Sequence, residues 1–233
     1  FKDPFLREDM VNAEYQLAVE RSNLNYNFTT GYVDGIMATY EADQFRVFGN
    51  YSDGANSGQL TWNNVDTDYA FTVRGEFMFS GTWDQFKDFT SPRGSESGIL
   101  VGAAFHWERG EYGTILTEND IMGFTVDASA EFGGFNLYGA FVYSSVDPSI
   151  GTTTDPLGFL IQAGFYLDET WELYARYEWA DYDNPDPAVD DLSALTFGVN
   201  KYFHGHNAKW TTDFGWGVNA MEAGSDLTGW RNS

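Results

Sequence analysis

The chain has 233 residues, with 35 acidic and 12 basic side chains, a formal net charge of −23 and no cysteine. So acidic a balance excludes nucleic acid as a partner, because phosphate binding needs clustered Lys and Arg, and it disfavours anionic membrane surfaces. The lack of cysteine excludes a disulfide scaffold and thiolate metal sites.

Aromatic residues make up 18% of the chain. Tyr, Phe and Trp favour strands, and Trp and Tyr also favour membrane interfaces. The length suits one sizeable β domain. No run approaches the ~18 apolar residues of a spanning helix. The chain opens on Phe1-Lys2-Asp3-Pro4, without an initiator Met or a signal-peptide pattern, as a mature or truncated segment does.

The first stretch differs from the rest. Asp3 before Pro4 reads as an N-cap followed by a proline in the first helical turn. Leu6, Met10, Ala13 and Leu17 fall near helical spacing, so 4–21 is expected to be a loop holding a short helix. After Gly31 the period changes to two. From Tyr69, every second residue reads Tyr69, Phe71, Val73, Gly75, Phe77, Phe79, and the residues between include Thr72, Arg74 and Glu76. Such alternation is a two-faced β-strand. It recurs over 31–41, 45–52, 68–80, 98–108, 120–132, 136–146, 157–167, 171–181, 193–203 and 208–218. Most of these stretches have ~9–12 residues; a tilted membrane-crossing strand needs ~9–11, whereas soluble strands average ~5–6.

The connections alternate in length. Residues 42–44, 133–135, 168–170 and 204–207 are tight turns. Between them come longer polar loops at 53–67, 109–119, 147–156 and 182–192, and a tail from Asn219. Short turns on one rim and long loops on the other mark an up-and-down outer-membrane barrel. Residues 81–97 break the rule, being long where a short turn is due. Aromatics cluster at strand ends with smaller apolar residues between, as in interfacial girdles around a hydrocarbon band. The opposite faces carry His106 and Glu108, then Thr125, Asp127, Ser129 and Glu131, and further on Glu172, Arg176, Glu178, Lys209 and Asp213. A secreted β-sandwich shows the same alternation. Length, loop parity and aromatic placement together favour an all-β transmembrane antiparallel barrel.

Residues Phe1-Lys2-Asp3-Pro4-Phe5-Leu6-Arg7-Glu8, followed by Leu17-Ala18-Val19-Glu20-Arg21-Ser22, resemble the phosphate-selective porin O/P family of bacterial outer-membrane porins. Gly198-Val199-Asn200-Lys201-Tyr202-Phe203 and Ala208-Lys209-Trp210 resemble that family's late hairpin. The resemblance implies that 4–28 is the loop folded into the barrel, within a partial porin barrel spanning 1–233 whose strands run from about 31 to 218. It implies about sixteen strands in the whole barrel, about ten of them here, with about five before residue 1 and one after residue 233. A smaller complete barrel of about ten strands is the alternative. The resemblance also implies a homotrimer in outer-membrane lipid.

In that family, cationic side chains in the inward loop and on the wall select phosphate, which needs Arg or Lys. Here the constriction candidates are Arg7, Glu8, Asp9, Glu14, Glu20 and Arg21, with Asp9 standing where phosphate-binding members carry lysine. The wall candidates are Arg74, Glu76, Asp127, Glu131, Glu172, Arg176, Glu178, Lys209 and Asp213, with Arg46 beside them. Acidic residues dominate, so the expected function is passive diffusion of small hydrophilic solutes or ions through a neutral or mildly cation-preferring pore.

Other chemistry is thinner. Asp181, Asp183 and Asp186 sit in an acidic loop that could hold a structural Ca²⁺, but the spacing is not an EF-hand, and a solvated loop is the plainer expectation. His204 and His206 flank Gly205 with no third ligand nearby, which suits turn chemistry better than a metal site. No other cofactor is expected. The alternatives are a secreted acidic β-jelly-roll hydrolase, pairing Glu76 with Glu131 or Glu172 with Glu178, or a surface-layer structural protein. No nucleophile elbow, P-loop or His-Glu-x-x-His is present. A porin needs detergent for extraction and migrates heat-modifiably; the alternatives do neither.

Overall fold

Strict alternation of apolar and polar residues folds here as a single sheet. The computed structural model describes residues 1–59, 67–110, 118–184, 191–218 and 229–232. It contains β1 (Gly35–Glu41), β2 (Phe45–Ser52), β3 (Thr67–Ser80), β4 (Gly98–Gly110), β5 (Asn119–Glu131), β6 (Phe135–Pro148), β7 (Leu157–Tyr166), β8 (Trp171–Asp181), β9 (Asp191–Tyr202), β10 (Lys209–Gly217) and a short β11 (Gly229–Asn232). Each strand pairs with the next in order β1 to β11, antiparallel throughout. Among the described residues β1 and β11 share no ladder, so the sheet has two edges. The fold is all-β and up-and-down, as the periodicity predicts. Among the described residues no helix is long and apolar enough to cross a membrane.

The two faces are inverted relative to a water-soluble protein. Val73, Phe77, Phe124, Ile161, Leu173 and Phe197 point outward and are 42–50% exposed. Phe71 and Trp179 are half-buried on the same face, and among the described residues no second sheet stacks on them. The inner face buries Thr72, Arg74, Glu76, His106, Asp127, Glu172, Arg176 and Glu178. Soluble monomers rarely expose a contiguous apolar patch beyond a few hundred Å². An outer face apolar on nearly every strand needs hydrocarbon, not water, around it.

The first 34 residues lie against the inner face. Phe5, Leu6, Val11, Leu17, Leu24 and Phe28 form one apolar cluster with Ala104, Tyr138, Val142, Leu160, Ala180 and Leu192 of the strands. One residue of the segment, Tyr15, lines a cavity with Phe48 of β2 and meets His206, just before β10, with ring centroids 5.0 Å apart. In a flat sheet those strands would lie about 38 Å apart, at ~4.8 Å per strand. The sheet therefore curls around the segment.

The stretch 4–21 is a loop holding a short helix, α1 (Arg7–Met10), followed by a 3₁₀ turn at Ala13–Tyr15. Asp3 is not a helix cap: one carboxylate oxygen accepts the Phe5 N–H, and the other accepts from Asn50 and Thr72. Tethering to the wall wins over capping. A further helix, α2 (Asn23–Phe28), forms where no periodicity announced it. Ser22 caps it by accepting the Asn25 N–H at 2.8 Å. The first strand begins at Gly35 rather than Gly31. Residues before it pair back onto the chain start, through a Lys2–Tyr32 bridge and reciprocal Phe1–Val33 hydrogen bonds.

Candidate functional site

A buried segment with little regular structure carries backbone N–H and C=O groups that must find partners. Inner-wall side chains supply them. On β8, Arg176 donates to the carbonyls of Glu20 and Arg21 at 3.1 and 3.4 Å. It pairs at 2.8 Å with Glu178, whose other oxygen accepts the N–H groups of Asn23 and Leu24. That carboxylate thus sits at the start of α2, where free N–H groups favour an anion. Asn200 on β9 donates to the Leu17 carbonyl at 3.0 Å, and Lys209 on β10 donates to Gln16 at 2.6 Å. Asp213 accepts the Val19 N–H and the Tyr174 hydroxyl. Within the segment, Arg21 donates to the carbonyls of Glu8 and Val11.

A second anchor is ionic. Glu76 on β3 is met by Arg46 at 2.5 Å, Arg74 at 2.9 Å and Arg7 at 3.6 Å. Arg74 also grips both oxygens of Asp127 on β5, at 2.7 and 2.8 Å. To do so it crosses β4 above Gly102, where any Cβ would collide with the guanidinium. Arg7 completes the lock by donating to Ser129 on β5. Glu172 accepts from Asn136, Asn200 and Tyr202. Buried charges are tolerable only when so satisfied.

All nine wall candidates lie on the inner face, most of them covered by the inward segment and their neighbours. Arg74, Glu76, Asp127, Glu131, Glu172, Arg176, Glu178 and Asp213 are buried, and Lys209 is half-buried. The constriction candidates divide. Arg7, Glu8 and Asp9 are buried; Glu14 and Glu20 are exposed, and Arg21 is half-buried. The surface that the segment offers to water is therefore acidic. Burial pushes the Glu8 carboxyl up from its ordinary range, against the pull of Arg176 and the Ser22 hydroxyl. Burial likewise raises Asp9, which accepts from Thr29 at 2.6 Å. Burial lowers the Lys2 ammonium, helped by Arg21.

Residues whose part in the site sequence reasoning passed over are Ser22 and Asn136, neutral groups with no local pattern to flag them, whereas Tyr174 falls on the inward face by alternation with Glu172 and Arg176.

The remaining candidates are dispersed. Asp183 accepts the Asp155 N–H, and Asp181 accepts the Asp183 N–H, while Asp186 lies outside the described residues. Among the described residues no group of three His, Asp or Glu is placed to hold a metal. His206 is engaged with Asp88 at 3.2 Å, Thr90 at 3.3 Å and the Glu14 carbonyl at 3.2 Å. The carboxylate pairs proposed for a hydrolase are not pairs. Glu172 and Glu178 stand six residues apart on one strand, about 20 Å. Glu76 and Glu131 are two strands and four residues apart in register, about 16 Å. Glycosidase carboxylates need ~5–9.5 Å.

A curled up-and-down antiparallel sheet, apolar outside and polar within, with a segment folded onto its inner face, has the architecture of an outer-membrane β-barrel. Solved structures of that kind are similar to it. One is a porin, at TM-score 0.57 and 15% identity over 83% of this chain and 59% of that one. Another is the outer-membrane expressed OmpT of Vibrio cholerae, at TM-score 0.56 and 14% identity over 89% of this chain and 63% of that one. The chain thus spans less than two thirds of either. No protein-family model matches the chain, and no curated protein matches it.

Proposed function

We propose that this chain forms wall and constriction of a water-filled channel in the bacterial outer membrane, passing small hydrophilic solutes or ions by passive diffusion and catalysing no reaction. The observation that carries the reading is the pairing of an apolar outer face with a polar inner face that holds residues 1–34 inside the curl. The fold shared with a porin supports it. The hydrolase alternative loses its support with the carboxylate separations above.

Selectivity follows from what faces water. The charges free to meet a solute include Glu14 and Glu20, whereas Arg7, Arg74 and Arg176 are committed to internal partners. The pore is therefore neutral or mildly cation-preferring, and phosphate selectivity in the manner of the O/P family is not supported by the inward segment. By the same resemblance the assembly is a homotrimer. The short-turn rim faces the periplasm.

Reconstitution of the purified full-length protein in a planar bilayer tests this. Stepwise conductance is expected, with a reversal potential in a KCl gradient at or slightly toward that of K⁺. Clear anion selectivity refutes the selectivity argument, and absence of any conductance refutes the channel.

A further inference from the structure

Four of the five described connections on the short-turn rim are brief: 42–44, 132–134, 167–170 and 203–208. The fifth, between β3 and β4, runs from 81 to 97. It does not hang outside the rim. Phe86, Phe89, Thr90 and Ser91 in its middle are buried to 3% exposure or less.

The connection touches every other short turn. At its start the Trp83 indole donates to the Ala42 carbonyl at 2.8 Å, and the Arg46 guanidinium lies 4.5 Å from its ring. In the middle, Ser91 accepts the N–H groups of Gly133 and Gly134 through its hydroxyl and its carbonyl. Arg93 donates to the carbonyls of Tyr166 and Leu167. Asp88 and Thr90 meet His206 of the β9–β10 turn. Turns that serve β1 through β10 can all meet one short connection only if it spans the opening that the curled sheet encloses.

It also meets the inward segment. Arg7 donates to the Phe86 carbonyl at 2.6 Å and lies 5.7 Å from the Phe89 ring. Phe89 packs on Tyr138 of β6, with centroids 4.6 Å apart. A cavity of about 320 Å³ separates the two elements, lined by Met10, Asn12 and Tyr15 of the segment, Arg46 and Phe48 of β2, and Lys87 of the connection.

We propose that residues 81–97 are a strap across the short-turn mouth, a second narrowing that sets the size limit for solutes after the inward segment has filtered their charge. The proposal rests on the channel reading above. The strap is rigid, because each part of it is tied to a different turn, so it acts as a fixed sieve and not as a gate. Solutes pass beside it through space such as the cavity at Lys87, whose side chain is exposed and paired with Asp84.

Two measurements on the full-length protein decide it. In the first, 82–96 is replaced by an Asn-Gly turn, suited to a tight hairpin. Folding is checked by heat-modifiable migration. Single-channel conductance and the largest sugar admitted in liposome swelling are both expected to rise. The second uses Lys87→Cys, a lone cysteine in this chain and an exposed site that the fold does not depend on. Attaching a polyethylene-glycol methanethiosulfonate during recording is expected to cut conductance roughly twofold or more, because the adduct fills a constriction. If the shortened protein folds with unchanged conductance, or if labelled Lys87→Cys conducts as before, the strap does not narrow the path and the proposal fails while the channel stands. If the unmodified protein forms no channel, the channel reading fails first.

Discussion

Replacing Glu178 by alanine is expected to release α2 from the wall while leaving the sheet folded. The side chain is fully buried, as is its partner Arg176. Removing it strands a guanidinium and leaves the Asn23 and Leu24 N–H groups without their acceptor. Breaking a buried ion pair from one side costs about 3–5 kcal/mol, and each unsatisfied donor adds to the penalty. The strand ladders do not run through this pair, so the loss falls on the segment. Amide exchange in 23–28 should quicken roughly 10²–10⁴-fold, since each ~1.4 kcal/mol is a factor of ten. Exchange in β4 and β5 should stay slow. The double variant Arg176→Met with Glu178→Leu separates the two costs. It removes the stranded charge, so thermal stability recovers, but α2 stays exchange-prone because its backbone partners are still missing. Unchanged protection of 23–28 in Glu178→Ala refutes the claim that wall charges hold the segment.

Three further outcomes are expected. Gly102→Ala places a methyl group in the path of Arg74; overpacking of this kind costs about 1–3 kcal/mol, read as a lower midpoint in denaturant-induced unfolding from lipid vesicles. Val126→Arg, at the middle of the outward face of β5, costs about 2–4 kcal/mol in a bilayer and would cost nearly nothing if that face met water; the same unfolding assay reads it. The third concerns pH. Glu8 and Asp9 have carboxyls raised by burial, so the folded protein holds protons that the unfolded chain has lost. Their contribution favours folding below the ordinary carboxylate range and is lost as pH rises through their raised values. Intrinsically corrected exchange in 8–11 should therefore slow on mild acidification, and Glu8→Gln with Asp9→Asn should flatten that dependence.

Strands were legible because one face of each is uniformly apolar. The ranges 45–52 and 171–181 coincide with β2 and β8, and the other strand ends shift by four residues or fewer. The segment was legible as different from the strands but not in its detail. Asn23 and Glu178 are 155 residues apart, so the carboxylate that steadies α2 leaves no mark near 23–28. The same distance hides the fate of the wall charges. Arg74 and Glu172 alternate with apolar residues as water-facing side chains do, and only the chain folded over them buries them. The long connection at 81–97 was visible by its length, whereas its path across the mouth depends on turns that the sequence scatters over 160 residues.

Since the chain has no cysteine of its own, a fluorophore can be placed at any one position. Bimane on Val126→Cys and on Glu14→Cys, in the full-length protein reconstituted with brominated lipid, compares the outward face of β5 with an exposed position on the inward segment. Strong quenching at 126 and none at 14 is the expected pattern, since one ring would sit among acyl chains and the other inside the barrel wall. Quenching of the 126 label by aqueous iodide, from a protein that stays in solution without detergent, would overturn the account of the outer face and the channel with it.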